Sequence, residues 1–266
     1  MSPLPARRHS IRVVRSAIFA AVGGLVSLFA GGCNLFLRAT PTPLPTQTTR
    51  ISDAAPRETL VVFLPGRGGS MNDFRDEGLL KIMNEAGVRA DVVSVDAHLG
   101  YYYRRTVIDR LKADVFIPAR AQGYRRVVLV GLSLGGLGSL LTERDQPGSA
   151  DALVLLAPYL GDKSTLFAQI ESAGGPAAWS KANAPRLGVI EEELWSYIGA
   201  RHADLPPTWL LYGRQDSLAP GHRLFATLLP DDHVIAIDGA HDWKTWRVLW
   251  KSVCEHSELF TAEKAD

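Results

Sequence analysis

From Glu58 onward, short continuously apolar runs alternate with longer stretches in which apolar residues recur at helical spacing. The runs are Leu60–Leu64, Val92–Val95, Val127–Val130, Leu153–Ala157, Trp209–Tyr212 and Val234–Ile237. Each is rich in Val, Ile or Leu and bounded by polar or turn residues, as expected of strands buried on both faces of a parallel sheet. Among the stretches between them, Met71–Ala86 carries Leu79, Leu80, Ile82 and Met83 and stops at Gly87. Tyr103–Ala121 is helical in pattern, and His241–Val253 sets Trp243, Trp246, Leu249, Trp250 and Val253 on one stripe. Two further helical stretches, Asp162–Ser172 and Gly188–Ala203, flank a Gly-, Ala- and Pro-rich segment, Ala173–Leu187. Strand and helix in alternation predict an α/β fold: a mostly parallel sheet with helices on both faces. The domain is expected over residues 58–266, with a short lid in 161–187.

Composition fits a single core but averages over two unlike parts. The chain has 266 residues, 46% hydrophobic and 21% charged, with a formal net charge of +1. That is too apolar for a disordered chain and too neutral for a nucleic-acid partner, which would require a basic face. Arg7, Arg8, Arg12 and Arg15 precede an uncharged run, Ser16–Gly32, rich in small and apolar residues. A basic start, a short apolar run and small residues describe a secretory signal over residues 1–32. The alternative, a permanent span, wants about 20 apolar residues, and this run is shorter and interrupted by Gly23, Gly24 and Ser27. Its end, Leu28-Phe29-Ala30-Gly31-Gly32-Cys33, resembles a bacterial lipobox, although Ala30 stands where Leu is usual. The resemblance implies that Cys33 becomes the lipidated first residue of an exported protein held at the cell envelope, facing the periplasm or the exterior. Plain cleavage near Gly32 is the alternative. Loss of the four signal arginines takes the formal charge from +1 to −3. Residues 33–57 then read as a lipid-anchored linker, with the Pro- and Thr-rich Ala39–Arg50 as a tether.

The chemistry gathers where strands end. Val127–Val130 runs into Gly131-Leu132-Ser133-Leu134-Gly135, followed by Leu137, Leu140 and Leu141 at helical spacing. G-x-S-x-G between a strand and a helix marks a serine on a sharp turn, where neighbouring side chains have no room. A serine hydroxyl is a poor nucleophile without a base. His241 follows Val234–Ile237 and opens a helix; His222 and His233 are rivals that do not lie just past a strand. An imidazole base needs a carboxylate to hold its tautomer. Asp216 follows Trp209–Tyr212, and Asp96, after Val92–Val95, is its rival. Asp238 and Asp242 are too close to His241 in sequence to orient it easily. Acyl transfer also needs backbone N–H donors for an oxyanion, which points to Leu134 and to the glycine-rich Leu64–Ser70.

The motifs GLSLG (Gly131–Gly135), YGRQD (Tyr212–Asp216), GAHDW (Gly239–Trp243) and LPGRGG (Leu64–Gly69) resemble the α/β-hydrolase superfamily from Glu58 to about Glu258. GAHDWKTW is also similar to the last catalytic segment of bacterial esterases of the esterase D type. The resemblance implies Ser133 as nucleophile, His241 as base, Asp216 as acid, and the amides of Leu134 and Arg67 as the oxyanion hole. Pro65 replaces the His common in that loop. Leu132, Tyr159 and Trp243 are expected to line the substrate pocket, with Tyr101–Tyr103, Trp179 and Leu218 as further candidates. Neither a metal-ligand cluster nor a dinucleotide-binding glycine fingerprint is present in the sequence, so no cofactor is expected. The expected partner is a small acyl ester. A lipase, thioesterase or peptidase on the same residues, or a non-catalytic lipid-anchored binding protein, are the alternatives. If Cys33 is the anchor, cells fed a labelled fatty acid incorporate label into the wild-type protein but not into Cys33→Ala; an unlabelled wild type would refute the anchor.

Overall fold

All six apolar runs form strands in the computed structural model, which describes residues 38–51, 58–162 and 164–261. With one earlier strand they make seven: β1 (Thr46–Arg50), β2 (Thr59–Leu64), β3 (Asp91–Val95), β4 (Arg126–Leu132), β5 (Ala152–Leu156), β6 (Thr208–Gly213) and β7 (Val234–Ile237). The sheet order is β1-β3-β2-β4-β5-β6-β7. β2 to β7 are parallel, and β1 lies antiparallel on β3 at the edge. The chain falls into two units, Met1–Ala39 and Thr40–Asp266, with the sheet wholly in the second. Cys33 and the proposed signal, residues 1–32, lie outside the described residues.

The period of two divides each strand between two cores. Val61, Phe63, Val128, Val130, Val154 and Leu211 pack on one face; Leu60, Val62, Leu64, Leu129, Leu155 and Leu210 pack on the other. The helix Trp243–Cys254 covers the first face with Trp246, Leu249, Trp250 and Val253, and Trp250 Nε1 donates to Leu79 O at 3.1 Å. The nucleophile-side helix Leu134–Asp145 covers the second, with Leu137 and Leu140 in its core. β3 lies on one side of β2 and β4 on the other, so the connections leaving β2 and β4 diverge from adjacent strand ends. That reversal opens a crevice at the carboxyl ends of the strands, where open α/β sheets bind ligands.

The structure departs from expectation in four places. Ala39–Arg50 is not all tether. Leu44 is buried, its N–H donates to Asp114 Oδ2 at 2.7 Å, and Pro41 O accepts from Tyr101 Oη at 2.7 Å. Thr46–Arg50 then adds to the sheet edge, where three β-branched threonines fit a half-exposed strand and the prolines fall before it. Met71–Ala86 is two short helices, Asp73–Asp76 and Leu79–Glu85, broken at Gly78 with φ 81°. Tyr103–Ala121 is broken at Arg105, with φ 56°, and its Lys112–Phe116 turn is π-helical. Pro118 explains that widening, because it has no N–H and its ring would strike the carbonyl four residues back. Finally, the expected lid, 161–187, folds into helices Ser164–Ser172 and Pro176–Ala182, whose Leu166, Phe167, Ile170 and Trp179 are buried in the second core. Among the described residues no helix is long and apolar enough to cross a membrane. If residues before β1 are part of the domain, Leu44→Ala costs about 2–5 kcal/mol of stability in urea unfolding; a loose tether would lose nothing.

Candidate active site

Ser133 joins β4 to the helix Leu134–Asp145 in one residue, at φ 51° and ψ −109°. This is an uncommon conformation for a side-chain-bearing residue. It is fastened from three sides: Ser133 N–H donates to Leu156 O (2.9 Å), while Ser133 O accepts from Gly136 N (2.9 Å) and Tyr159 N (2.8 Å). The flanking glycines have a steric reason. A Cβ at Gly131 would run into Gly135 O, and one at Gly135 into Leu64 O.

Asp216 and His241 arrive on two loops tied together. After β6, Arg214 N–H donates to Ile237 O (2.8 Å) and Gln215 N–H to Gly239 O (3.0 Å), and Gly239 N–H donates back to Gln215 Oε1 (2.5 Å). This pairing brings Asp216 Oδ2 to 2.6 Å from His241 Nδ1, and His241 Nε2 lies 3.0 Å from Ser133 Oγ. The second carboxylate oxygen of Asp216 accepts from Leu218 N–H at 2.8 Å. Burial pushes the Asp216 carboxyl up, but its hydrogen bonds with His241 and Leu218 outweigh that and hold it below the ordinary carboxylate range. Asp242 is used elsewhere: it caps the helix Trp243–Cys254 by accepting from Thr245 N–H (2.8 Å). Asp238 pairs with Arg214 at 3.3 Å on the surface.

Of the rival residues, Asp96 is buried after β3 and its N–H donates to Pro45 O at 2.9 Å. His233 stacks on Trp209 with ring centroids 4.6 Å apart, below β6. His222 is fully buried behind the acid loop, with Nε2 2.8 Å from Pro158 O. Burial pushes it down to about 4, against the pull of that hydrogen bond and of the Asp216 charge.

A cavity of about 830 Å³ opens over Ser133 and His241. Leu132, Tyr159 and Trp243 line it, as expected, and so do Leu134, Arg67 and Leu218. The loop bearing Arg67 passes close to the serine, since a Cβ at Gly66 would stand 3.5 Å from Ser133 Cβ. Leu134 opens a helix, whose first N–H groups have no partner within the helix and so suit an anion. The other aromatic candidates lie elsewhere. Tyr101 and Trp179 are core residues, Tyr102 packs against Gly138, and Tyr103 is exposed.

Sequence reasoning missed Trp246, Ile190 and Glu191 on the cavity wall. Trp246 stands edge-to-face against His241, with centroids 4.9 Å apart and planes at 90°. It sits three residues after Trp243, a spacing that puts both on one helix face and was readable only as core. Glu191 accepts from Tyr159 Oη at 3.3 Å. Burial and the Glu191 and Asp162 charges push that phenol up to about 12. Among the described residues, no group of three or more His, Cys, Asp or Glu side chains could hold a metal ion.

A strained serine at a strand–helix turn, with an imidazole and a buried carboxylate supplied from later strand ends, defines an α/β-hydrolase type of site. The sequence model of the alpha/beta hydrolase family matches residues 61–263, and the chain belongs to that family. A search of curated protein sequences finds no match. Among solved structures, the fold is similar to that of S-formylglutathione hydrolase from Staphylococcus aureus (TM-score 0.57, 13% identity, 83% of this chain and 94% of that one). It is also similar to a hyperthermophilic esterase from Pyrobaculum calidifontis (TM-score 0.56, 18% identity, 83% and 82%). A third similar fold is a ferulic acid esterase (TM-score 0.54, 16% identity, 82% and 99%).

The burial of His222 has a consequence for acid stability. The unfolded chain protonates this histidine near 6.5 and the folded chain only near 4, so between those values the unfolded chain binds more protons. Stability is full above about 6.5 and falls as pH drops toward 4. The urea midpoint of the wild type should fall through this window and that of His222→Gln should fall less; parallel curves would show that His222 does not carry the effect.

Proposed function

We propose that the protein is a serine hydrolase that cleaves carboxylic esters of small molecules. The single observation that carries this reading is the hydrogen-bond chain from Asp216 through His241 to Ser133 at the floor of an open cavity. Ser133 Oγ attacks the ester carbonyl as His241 Nε2 takes its proton. Asp216, ionised and hydrogen-bonded to Nδ1, holds the ring in the tautomer that leaves Nε2 free to act as base and stabilises the imidazolium that forms. The N–H groups of Leu134 and Arg67 receive the oxyanion. His241 then returns the proton to the departing alcohol, and water, activated by the same imidazole, hydrolyses the acyl-enzyme. Leu132, Tyr159 and Trp243 supply an apolar and aromatic wall for the acyl or alcohol group.

Ester hydrolysis stands ahead of amide hydrolysis as the reading because the family's esterase folds are the ones this chain is similar to, although that likeness alone concerns fold. The wild type should react with a fluorophosphonate probe and turn over p-nitrophenyl esters, and Ser133→Ala should do neither; undiminished turnover by Ser133→Ala would refute the assignment. Asp216→Asn should lose roughly 10²–10⁴-fold in kcat, while Asp96→Asn keeps most of it. The reverse pattern would move the acid to Asp96. A panel of esters of increasing chain length then fixes the acyl preference.

A further inference from the structure

The triad accounts for Ser133, His241 and Asp216 but leaves a second buried histidine directly behind them. His222 is fully buried on the helix Ala219–Ala226, which grows out of the acid loop. Leu218 N–H donates to Asp216 Oδ1 (2.8 Å), Ala219 N–H to Asp216 O (3.0 Å), and His222 N–H to Leu218 O (3.3 Å). One turn into this helix the imidazole reaches across to the segment after β5, where Nε2 meets Pro158 O at 2.8 Å. That segment braces the nucleophile: Tyr159 N–H donates to Ser133 O at 2.8 Å, and a Cβ on Gly136 would strike Pro158. Ala157, just before it, holds φ 47°. A strained turn keeps such a conformation only when its surroundings over-determine it.

We propose that His222 is a positioning residue for the hydrolase reaction: its Nε2–H donates to Pro158 O and ties the acid loop after β6 to the segment after β5 that braces the Ser133 turn. This rests on the serine hydrolase reading above. His241 bridges Asp216 and Ser133 directly, and His222 links the Asp216 loop to the segment after β5, whose Tyr159 N–H in turn holds Ser133 O. Together they fix the separation across which the proton must move, and without His222 the segment after β5 loses its tie to the helix that follows Asp216. A carbonyl acceptor requires the proton on Nε2, so His222 is the neutral Nε2–H tautomer. Its surroundings agree. The ring lies 5.1 Å from that of Tyr212 on β6, Asp216 and His241 are the ionisable groups ahead of it, and Arg223 follows it on its own helix. Burial keeps the ring neutral through the range in which a serine hydrolase works.

The test compares His222→Phe, which keeps a ring and loses the donor, with His222→Gln, whose side-chain amide can still donate to Pro158 O. Folding is checked by circular dichroism on the full chain, and p-nitrophenyl ester kinetics and the rate of fluorophosphonate labelling at Ser133 are measured for each. His222→Phe should lose roughly 10- to 100-fold in kcat and in labelling rate, as expected when reacting groups drift by about an ångström. KM should change less than kcat, and His222→Gln should recover most of the loss. Folded His222→Phe with wild-type kcat overturns the proposal, and so does failure of His222→Gln to recover any activity. Absence of labelling in the wild type instead overturns the serine hydrolase reading. If His222→Phe does not fold, the wild type decides through long-range ¹⁵N–¹H correlation of its histidines. A proton on Nε2 of His222 supports the strut, and a proton on Nδ1 refutes it.

Discussion

Ser133 can hold φ 51° only because the residues around it leave the backbone no alternative. β4 must end and a helix begin within one residue, in the centre of a sheet whose neighbouring strands are already in register. Leu64 pairs with Gly131 and Leu132 with Leu156, so the nucleophile's place is set by ladders on both sides before its own turn is made. A conformation of this kind costs about 1–3 kcal/mol, which the three backbone hydrogen bonds on Ser133 and the close helix packing at Gly135 offset. The strain has a use. It places Ser133 at the cavity wall, next to His241.

The second constraint is electrostatic. The Asp216 side chain is fully shielded from solvent, yet its carboxyl is held below the ordinary range. Burial alone would drive it the other way, so its two acceptor bonds decide the outcome. One of those partners is His241 itself, which makes the charge and the orientation of the base a single arrangement. The other is the Leu218 N–H, which also starts the helix carrying His222. A buried carboxylate that lost either donor would keep its desolvation cost with only one of the two bonds that offset it.

The central sheet was legible because parallel strands buried on both faces are written as short unbroken apolar runs. Ser133, Asp216 and His241 were legible because each stands just past such a run. β1 was not, since Thr-Gln-Thr-Thr-Arg at a half-exposed edge has no apolar run to announce it, and its docking depends on Leu44, Tyr101 and Asp114, far apart in sequence. The helical period of Tyr103–Ala121 was real, but a period says nothing about a turn widened around Pro118. Trp179 and Trp246 show the same limit from opposite sides. Trp179 stands in a Gly-, Ala- and Pro-rich segment yet packs into the core, while Trp246, on a helical stripe, is buried in the core and also lines the cavity against His241. Periodicity reports that a face is buried and not what it is buried against.

Access to Ser133 is governed by the connection between β5 and β6, and its packing argues for a rigid rim. Trp195 is fully buried on the helix Ile190–Arg201, and its Nε1 donates to Leu160 O at 2.8 Å. Leu194 and Ile198 from the same helix, and Leu166, Phe167 and Ile170 from the helix Ser164–Ser172, enter the same core. Swinging this connection away as a unit would expose Trp195 alone at a cost of roughly 4–6 kcal/mol, taking 150–250 Å² of apolar surface at about 25 cal/mol per Å². Few substrates could return that much on binding. Of the residues of this connection that line the cavity, Ile190 and Glu191 belong to the first turn of that anchored helix, and Tyr159 donates to Glu191. The cavity over Ser133 therefore has a preformed rim, reshaped by local side-chain movement rather than by swinging of the connection.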